Sequence, residues 1–184
     1  MVTEPADAVP ARDEALAARA RRIRLVLTDC DGVLTDGGVY YSESGESMKR
    51  FNVRDGMGVE RLRERGIAVA MVSREGAPSV RKRAEKLRMA GTYFDVPDKR
   101  EALEEILREQ QCRLEETACI GDDLNDLELL RAVGTEGLTG APSDAMPEVL
   151  QAVHFRASRP GGAGAFREFV EWILALRGDH TAVS

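Results

Sequence analysis

Asp29 and Asp31 are separated by one residue, and Gly32 follows at once. Two carboxylates this close are costly to hold together unless a cation or a proton transfer uses them. A second acidic group stands directly after Gly121, at Asp122, Asp123 and Asp126. One acid there could cap a helix, but three are more than capping needs. Ser73 adds a hydroxyl and Lys99 a cation. A carboxylate cluster with no Cys or His ligands is an oxygen-donor site. Its natural ion is Mg2+, which takes one or two carboxylates together with waters and phosphate oxygens. Ser73 can donate to a phosphate oxygen, and Lys99 can neutralise its charge. A carboxylate can attack phosphorus to give an acyl phosphate. A second acid two residues on can protonate the leaving alkoxide and then deprotonate water. The set suffices for phosphoryl transfer. Taken alone, the Asp29–Asp31 stretch also reads as an acidic turn, since Asp and Gly both favour turns. Lys99 alone either meets an anion or points into solvent.

These residues converge only if the chain places them at one edge. Leu25-Val26-Leu27, ending in Thr28, is too short for a helix and predicts a buried strand that hands Asp29 to a loop. Ile67–Val72 is a near-continuous apolar run, as expected for a strand buried on both faces, and it ends at Ser73. Thr117–Ile120 is a third strand and ends at the Gly121–Asp126 acids. Shorter strands are expected at Thr92–Phe94, Thr135–Thr139 and Ala152–Phe155. Helices are expected over Asp55–Arg65 and Pro78–Leu87, after a cap at Asp98 with Glu101 three positions on, from the Gly121–Asp126 acids on to about Ala132, over Asp144–Leu150, and over the amphipathic Ala165–Leu176. Lys99 falls in the first turn of the Asp98 helix, where the macrodipole disfavours a cation. Two β-prone runs around a Ser/Glu/Gly turn predict a hairpin at about 38–51, either a flap over the site or a plain surface hairpin.

Alternating strands and helices predict an α/β fold: a three-layer, Rossmann-like parallel sheet with helices on both faces, a small hairpin flap and no large cap domain. In such a sheet, ligands bind at the carboxyl ends of the strands. Residues 1–22 read as a tail or a loosely docked helix, 23–177 as the domain, and 178–184 as a tail.

The chain has 184 residues and fits one domain. A net charge of −6 and only 5% aromatic residues argue against a nucleic-acid partner or an anionic membrane surface. An acidic chain that handles anionic substrates needs a local basic site or a metal. Cys30, Cys112 and Cys119 form no Cys-x-x-Cys pair and fit free thiols in a reducing cytoplasm. His154 and His180 are not spaced with them as zinc ligands, and neither is assigned a role. No run of about 18 apolar residues or signal-type segment is present, so a cytoplasmic protein with no membrane span is expected.

Asp29-Cys30-Asp31-Gly32-Val33-Leu34-Thr35, Ser73, Lys99 and Gly121-Asp122-Asp123-Leu124-Asn125-Asp126, in this order after expected strands, resemble the haloacid-dehalogenase-like phosphatases. The hairpin, Phe51–Gly56 and Gly161–Glu168 narrow the likeness to the capless 3-deoxy-D-manno-octulosonate 8-phosphate phosphatases, over about Ile23–Leu176. The resemblance implies Asp29 as nucleophile and metal ligand, and Asp31 as general acid/base with its backbone carbonyl on the metal. It implies Asp122 as a further metal ligand, Ser73 and Lys99 as phosphate-binding residues, Asp126 and Asp123 in support, and Arg54 near the substrate. It also implies Mg2+ as cofactor and a homotetramer whose neighbours complete each site.

Two departures bear on substrate. Ser73-Arg74-Glu75 stands where the octulosonate enzymes usually have Thr-Gly-Arg, and Ala163 stands where they commonly place a basic residue. The run from Val72 to Leu87 looks closer to phosphatase-like domains of sialic-acid pathways. The expectation is a Mg2+-dependent phosphatase of an acidic keto-sugar phosphate. Its alternatives are a nonulosonate 9-phosphate phosphatase and a non-catalytic, tetramer-forming module. A signalling receiver would carry its phosphorylated Asp on the third strand, not the first.

Overall fold

Leu25–Thr28 forms the strand β1 with all four residues buried. Its alternating side chains face two different cores. Val26 packs with Ile120, Phe166 and Phe169, whereas Leu25 and Leu27 pack with Leu129, Leu130 and Val133. A strand covered on both faces has no polar position to spare, which is why this segment reads as an unbroken apolar run. The computed structural model describes residues 11–179.

In chain order, α1 (Ala11–Ala20) precedes β1, and the antiparallel hairpin β2 (Tyr40–Ser42) and β3 (Gly45–Met48) follows it. Next come α2 (Val53–Glu64), β4 (Ala68–Val72), α3 (Pro78–Leu87), β5 (Gly91–Tyr93) and α4 (Leu103–Glu109). Then β6 (Thr117–Ile120), α5 (Leu124–Gly134), β7 (Leu138–Ala141), α6 (Pro147–Ala152), β8 (Phe155–Arg156) and α7 (Ala165–Arg177) complete the chain. The six main strands run parallel in the order β5-β4-β1-β6-β7-β8. One core joins the sheet to α2, α3 and α7, and the other joins it to α4, α5 and α6. This is the expected three-layer α/β architecture with a small hairpin and no large cap among the described residues.

In the central strands, Thr28 pairs with Met71 of β4 and Ile120 of β6. Asp29, Ser73 and Gly121 therefore leave one sheet edge side by side. Order reverses here too, since the chain moves to β4 on one side of β1 and to β6 on the other. That crevice is where an open α/β sheet binds ligands.

Several boundaries differ from the sequence reading. The expected strand over Thr135–Thr139 lies at Leu138–Ala141 instead, because α5 runs on to Gly134 and a turn intervenes. The last strand is Phe155–Arg156 and not Ala152–Phe155, since α6 occupies Pro147–Ala152. Asp98 does cap, accepting from the amides of Arg100 (2.9 Å) and Glu101 (3.0 Å), but it caps a turn, and α4 starts only at Leu103. Lys99 is thereby not set in the first turn of a helix.

The segment read as a tail or loosely docked helix is helical over Ala11–Ala20. It is fastened mainly by polar groups, Arg19 donating to the carbonyls of Gly134, Thr135 and Gly137, and Arg177 to those of Ala20 and Ile23. Leu16 alone of its large apolar residues reaches the core. The remaining parts of the two expected tails, residues 1–10 and 180–184, lie outside the described residues.

Candidate active site

The loop after β1 turns sharply back on itself. Leu34 and Thr35 both donate their amides to the Cys30 carbonyl, and Gly32 adopts φ +87°. Any side chain at Gly32 would sit 2.0 Å from Asp122 Oδ2, so glycine is what allows the first acidic loop to touch the second. Cys30 points into the core, and burial pushes its thiol far up.

Asp29 is almost fully buried at the end of β1. Lys99, 1% exposed, lies between two carboxylates, with Nζ 2.8 Å from Asp29 Oδ1 and 2.6 Å from Asp126 Oδ1. The solvated reading of Lys99 is thus replaced by the anion-meeting one. Asp126 Oδ2 accepts from the backbone amides of Asp122 (3.0 Å) and Asp123 (3.4 Å), which ties the acidic loop to the lysine. Asp123 caps α5, accepting from the Leu124 amide at 2.6 Å.

The electrostatics are unbalanced. Carboxylate oxygens of Asp29, Asp122 and Asp126 lie within 4.8 Å of one another and face one ammonium. Burial, with help from Asp126, pushes the Asp29 carboxyl up to about 7 against the pull of Lys99. Burial and the charges of Asp29, Asp126 and Asp123 push Asp122 up to about 8. Burial alone would lower Lys99, but Asp29 and Asp126 together raise it. Fully ionised, the cluster carries two uncompensated negative charges, which a divalent cation would neutralise. Asp122 Oδ1 is buried with no hydrogen-bond partner among the described residues, as expected of a ligand atom. The donor set is all oxygen, so the residues fit Mg2+.

Asp31 lines the same cleft, and its carboxylate is held by groups outside that cluster. Oδ1 accepts from the Thr35 hydroxyl at 3.2 Å, and Oδ2 lies 2.6 Å from Lys49 Nζ. Ser73 is buried at the end of β4, and its Oγ accepts from the Glu75 amide at 3.3 Å. Asp29, Asp31, Ser73, Arg74, Glu75, Asp122, Asp123 and Asn125 line a cleft of about 440 Å3. Asp29, Asp31, Ser73, Lys99, Asp122, Asp123 and Asp126 are therefore all brought together. Arg54 is not: within one chain it lines a separate hollow of about 390 Å3 with Arg159, Gly164, Arg167 and Glu168. It sits at the start of α2, where the Asn52 side chain accepts its amide, and it extends from that helix end.

Two features escaped the sequence reading. Lys49 is one, because nothing in a surface-hairpin pattern announces a buried lysine. The other is Asp55, buried at 1% exposure, whose carboxylate accepts from the amides of Gly164 (3.2 Å) and Arg167 (3.0 Å) and so holds the start of α7. The Gly-rich loop is pressed on the loop after β1, with the Gly162 amide donating to the Val33 carbonyl at 3.0 Å.

Residues 95–158, which include Lys99 and the Gly121–Asp126 loop, match the haloacid dehalogenase-like hydrolase family model. The chain is 39% identical over 165 residues to the 3-deoxy-D-manno-octulosonate 8-phosphate phosphatase of Yersinia pestis, covering 90% of this chain and 86% of that protein. Its fold is similar to the cobalt-bound deoxy-D-mannose-octulosonate 8-phosphate phosphatase of Haemophilus influenzae, with a TM-score of 0.82, 38% identity and coverage of 87% and 92% of the two chains. It is also similar to the 3-deoxy-D-manno-octulosonate 8-phosphate phosphatase of Moraxella catarrhalis in complex with magnesium, phosphate and KDO. There the TM-score is 0.83, the identity 30%, and the coverage 89% and 92%.

Proposed function

The chain belongs to the 3-deoxy-D-manno-octulosonate 8-phosphate phosphatase family of haloacid dehalogenase-like hydrolases, and on that premise we propose how its own residues work and on what. It is a phosphomonoester hydrolase. The reading is that it hydrolyses 3-deoxy-D-manno-octulosonate 8-phosphate through a phospho-aspartate on Asp29, with Mg2+ as cofactor. The observation that carries it is the buried Asp29–Lys99–Asp126 arrangement beside the unpartnered Asp122 Oδ1.

Asp29 attacks phosphorus with one carboxylate oxygen as the ester P–O bond breaks, and protonated Asp31 gives its proton to the departing oxygen. Asp31, now a carboxylate, takes a proton from water as that water attacks the phospho-aspartate and releases phosphate. Lys99 keeps the Asp29 oxygen in place and sets a positive charge beside the transferring group. Ser73, whose hydroxyl is held at the strand end, donates to a phosphoryl oxygen. Asp126 positions both Lys99 and the Asp122 loop. The Asp29 and Asp122 carboxylates and the Asp31 backbone carbonyl would hold Mg2+, which supplies charge neutralisation between carboxylates and phosphate.

A second substrate reading has its own observation. Arg74 and Glu75, the positions that depart from the usual octulosonate pattern, both line the cleft. They favour a nine-carbon nonulosonate 9-phosphate as the alternative. Exposed Val39, Tyr40, Tyr41 and Met48 on the hairpin, with Val53 and Met57 on α2, support a homotetramer in which neighbours cover one another's clefts, which would also bring the Arg54 hollow toward a neighbour. The described residues form no helix long and apolar enough to cross a membrane, and the three free cysteines support a cytoplasmic setting.

The test is phosphate release from the octulosonate 8-phosphate and from nonulosonate 9-phosphates, by the native chain and by Asp29→Asn. The native chain should prefer the 8-phosphate and the variant should lose at least about a thousandfold while melting as the native chain does. No release from either ester would favour the non-catalytic assembly module.

A further inference from the structure

Lys49 follows β3 directly, and its side chain is 1% exposed. Lysine is rarely buried this completely unless it is paired. Its ammonium is 2.6 Å from Asp31 Oδ2 and 3.7 Å from Glu46 Oε1, and Glu46 Oε1 is itself buried with no hydrogen-bond partner among the described residues. The next residue, Arg50, grips Asp36 through two hydrogen bonds of 2.9 and 2.6 Å in an exposed pair. The hairpin's exit is thus already fastened to the far end of the nucleophile loop. A second fastening, buried and placed on the proton-transfer side chain, is not needed to hold the hairpin down.

The geometry fixes more than position. Thr35 Oγ1 holds Asp31 Oδ1 at 3.2 Å while Lys49 holds Oδ2, so the plane of the carboxylate is set at two points. An ammonium has donors only. Oδ2 therefore faces a group that can only donate, and Oδ1, beside a hydroxyl that can reorient, is the oxygen left to face the leaving group.

We propose that Lys49 is a positioning residue for proton transfer, orienting the Asp31 carboxylate so that Oδ1 presents its proton to the leaving oxygen. The assignment rests on the reading of Asp31 as general acid. In the step it serves, the Asp29 oxygen–phosphorus bond forms, the ester P–O bond breaks, and the Asp31 Oδ1 proton passes to the departing oxygen. The ester becomes an alcohol and Asp31 a carboxylate.

A leaving group that needs no proton separates this role from a structural or phosphate-binding one. Phenyl phosphate and p-nitrophenyl phosphate are similar in shape, but phenolate is about as basic as a tyrosinate, with a pKa of about 10, and nitrophenolate is far less basic. The measurement is kcat/KM, which ends at departure of the leaving group, for the native chain, Lys49→Met and Lys49→Arg. Methionine removes the donor, and arginine keeps a charge while moving the donor, so arginine carries the test should the methionine variant not fold.

Both variants should lose about tenfold or more on phenyl phosphate relative to their loss on p-nitrophenyl phosphate, a fraction of the 10²–10⁴ that general acid catalysis supplies. Equal losses on the two esters, or none on phenyl phosphate, would overturn the assignment while leaving the phosphatase reading intact. A native chain that releases phosphate from no ester, sugar or aryl, would overturn both.

Discussion

Gly32→Ala tests whether contact between the two acidic loops, and not either loop alone, makes the metal site. Two costs can be worked from the structure. The first is backbone: φ is +87°, and an L side chain in the left-handed region costs about 1–2 kcal/mol. For a chain of this size that is a fall in melting temperature of roughly 2–8 °C. The second is contact: the new Cβ would stand 2.0 Å from Oδ2 and 2.5 Å from Cγ of Asp122. Ordinary carbon contact is at least about 3.5 Å, so Asp122 must move by more than an ångström. Moving it takes the unpartnered Oδ1 away from Asp29 and Asp126. The expected loss in Mg2+ affinity is about 10- to 100-fold, the size of a disturbed ligand support. Gly66→Ala separates the costs, since Gly66 has φ +70° and nothing within 4 Å of an added Cβ. Calorimetric titration with Mg2+ and thermal melts in EDTA read the two. Both variants should melt lower, and only Gly32→Ala should bind Mg2+ more weakly. Mg2+ affinity within twofold of native in a folded Gly32→Ala protein would refute the reasoning.

Two further outcomes are expected. Asp29 and Asp122 sit at about 7 and about 8 in the folded chain, against about 3.9 for an unfolded Asp, so without metal the folded state holds extra protons between about pH 4 and 8 and its stability falls as pH rises through that window. Melting in EDTA from pH 5 to 8.5 should show this decline, Mg2+ should protect most at the alkaline end, and Asp122→Asn should flatten the EDTA curve; an EDTA curve of equal slope in native and variant would remove the acidic cluster as its cause. Tyr41, 75% exposed on the hairpin, should anchor the subunit contact, so Tyr41→Glu should break a tetramer and lower kcat/KM together, by light scattering and phosphate release. A native monomer with undiminished turnover would contradict shared sites.

How much of this was legible in the sequence depended on what decides each feature. Asp29, Ser73 and Gly121 end strands whose apolar runs are local facts, and parallel register then brings them together without further information. Lys99 was legible as a residue and not as a position: Asp98 satisfies amides in a turn as well as in a helix, and only the buried carboxylates behind it decide which forms. The strand β7 was misplaced because Leu138-Thr139-Gly140-Ala141 has little intrinsic β signal. Its extension comes from pairing with β6, and its glycine from Phe169, which a Cβ at Gly140 would meet at 2.5 Å. α1 looked loose because its anchors are arginine–carbonyl bonds, invisible to any count of apolar periodicity. Lys49 was beyond reach for a related reason, since the partner that buries it is 18 residues away across a hairpin whose register no local pattern sets.

The two kinds of residue answer to different physics. The strand-end acids stand where the fold must expose something to the crevice, so their type is free for chemistry and shows in the sequence as an anomaly. Lys49 and Asp55 are buried where the fold would prefer carbon, and each is tolerated because its partner is charged or is a free backbone amide. Lys49 meets an acid of the first kind directly and Asp55 holds the start of α7, and neither carries a motif of its own. Lys49, at the exit of β3, holds Asp31 Oδ2, so under the proposed role of Asp31 any surface that presses on β2 and β3 also bears on the proton the cleft has to move.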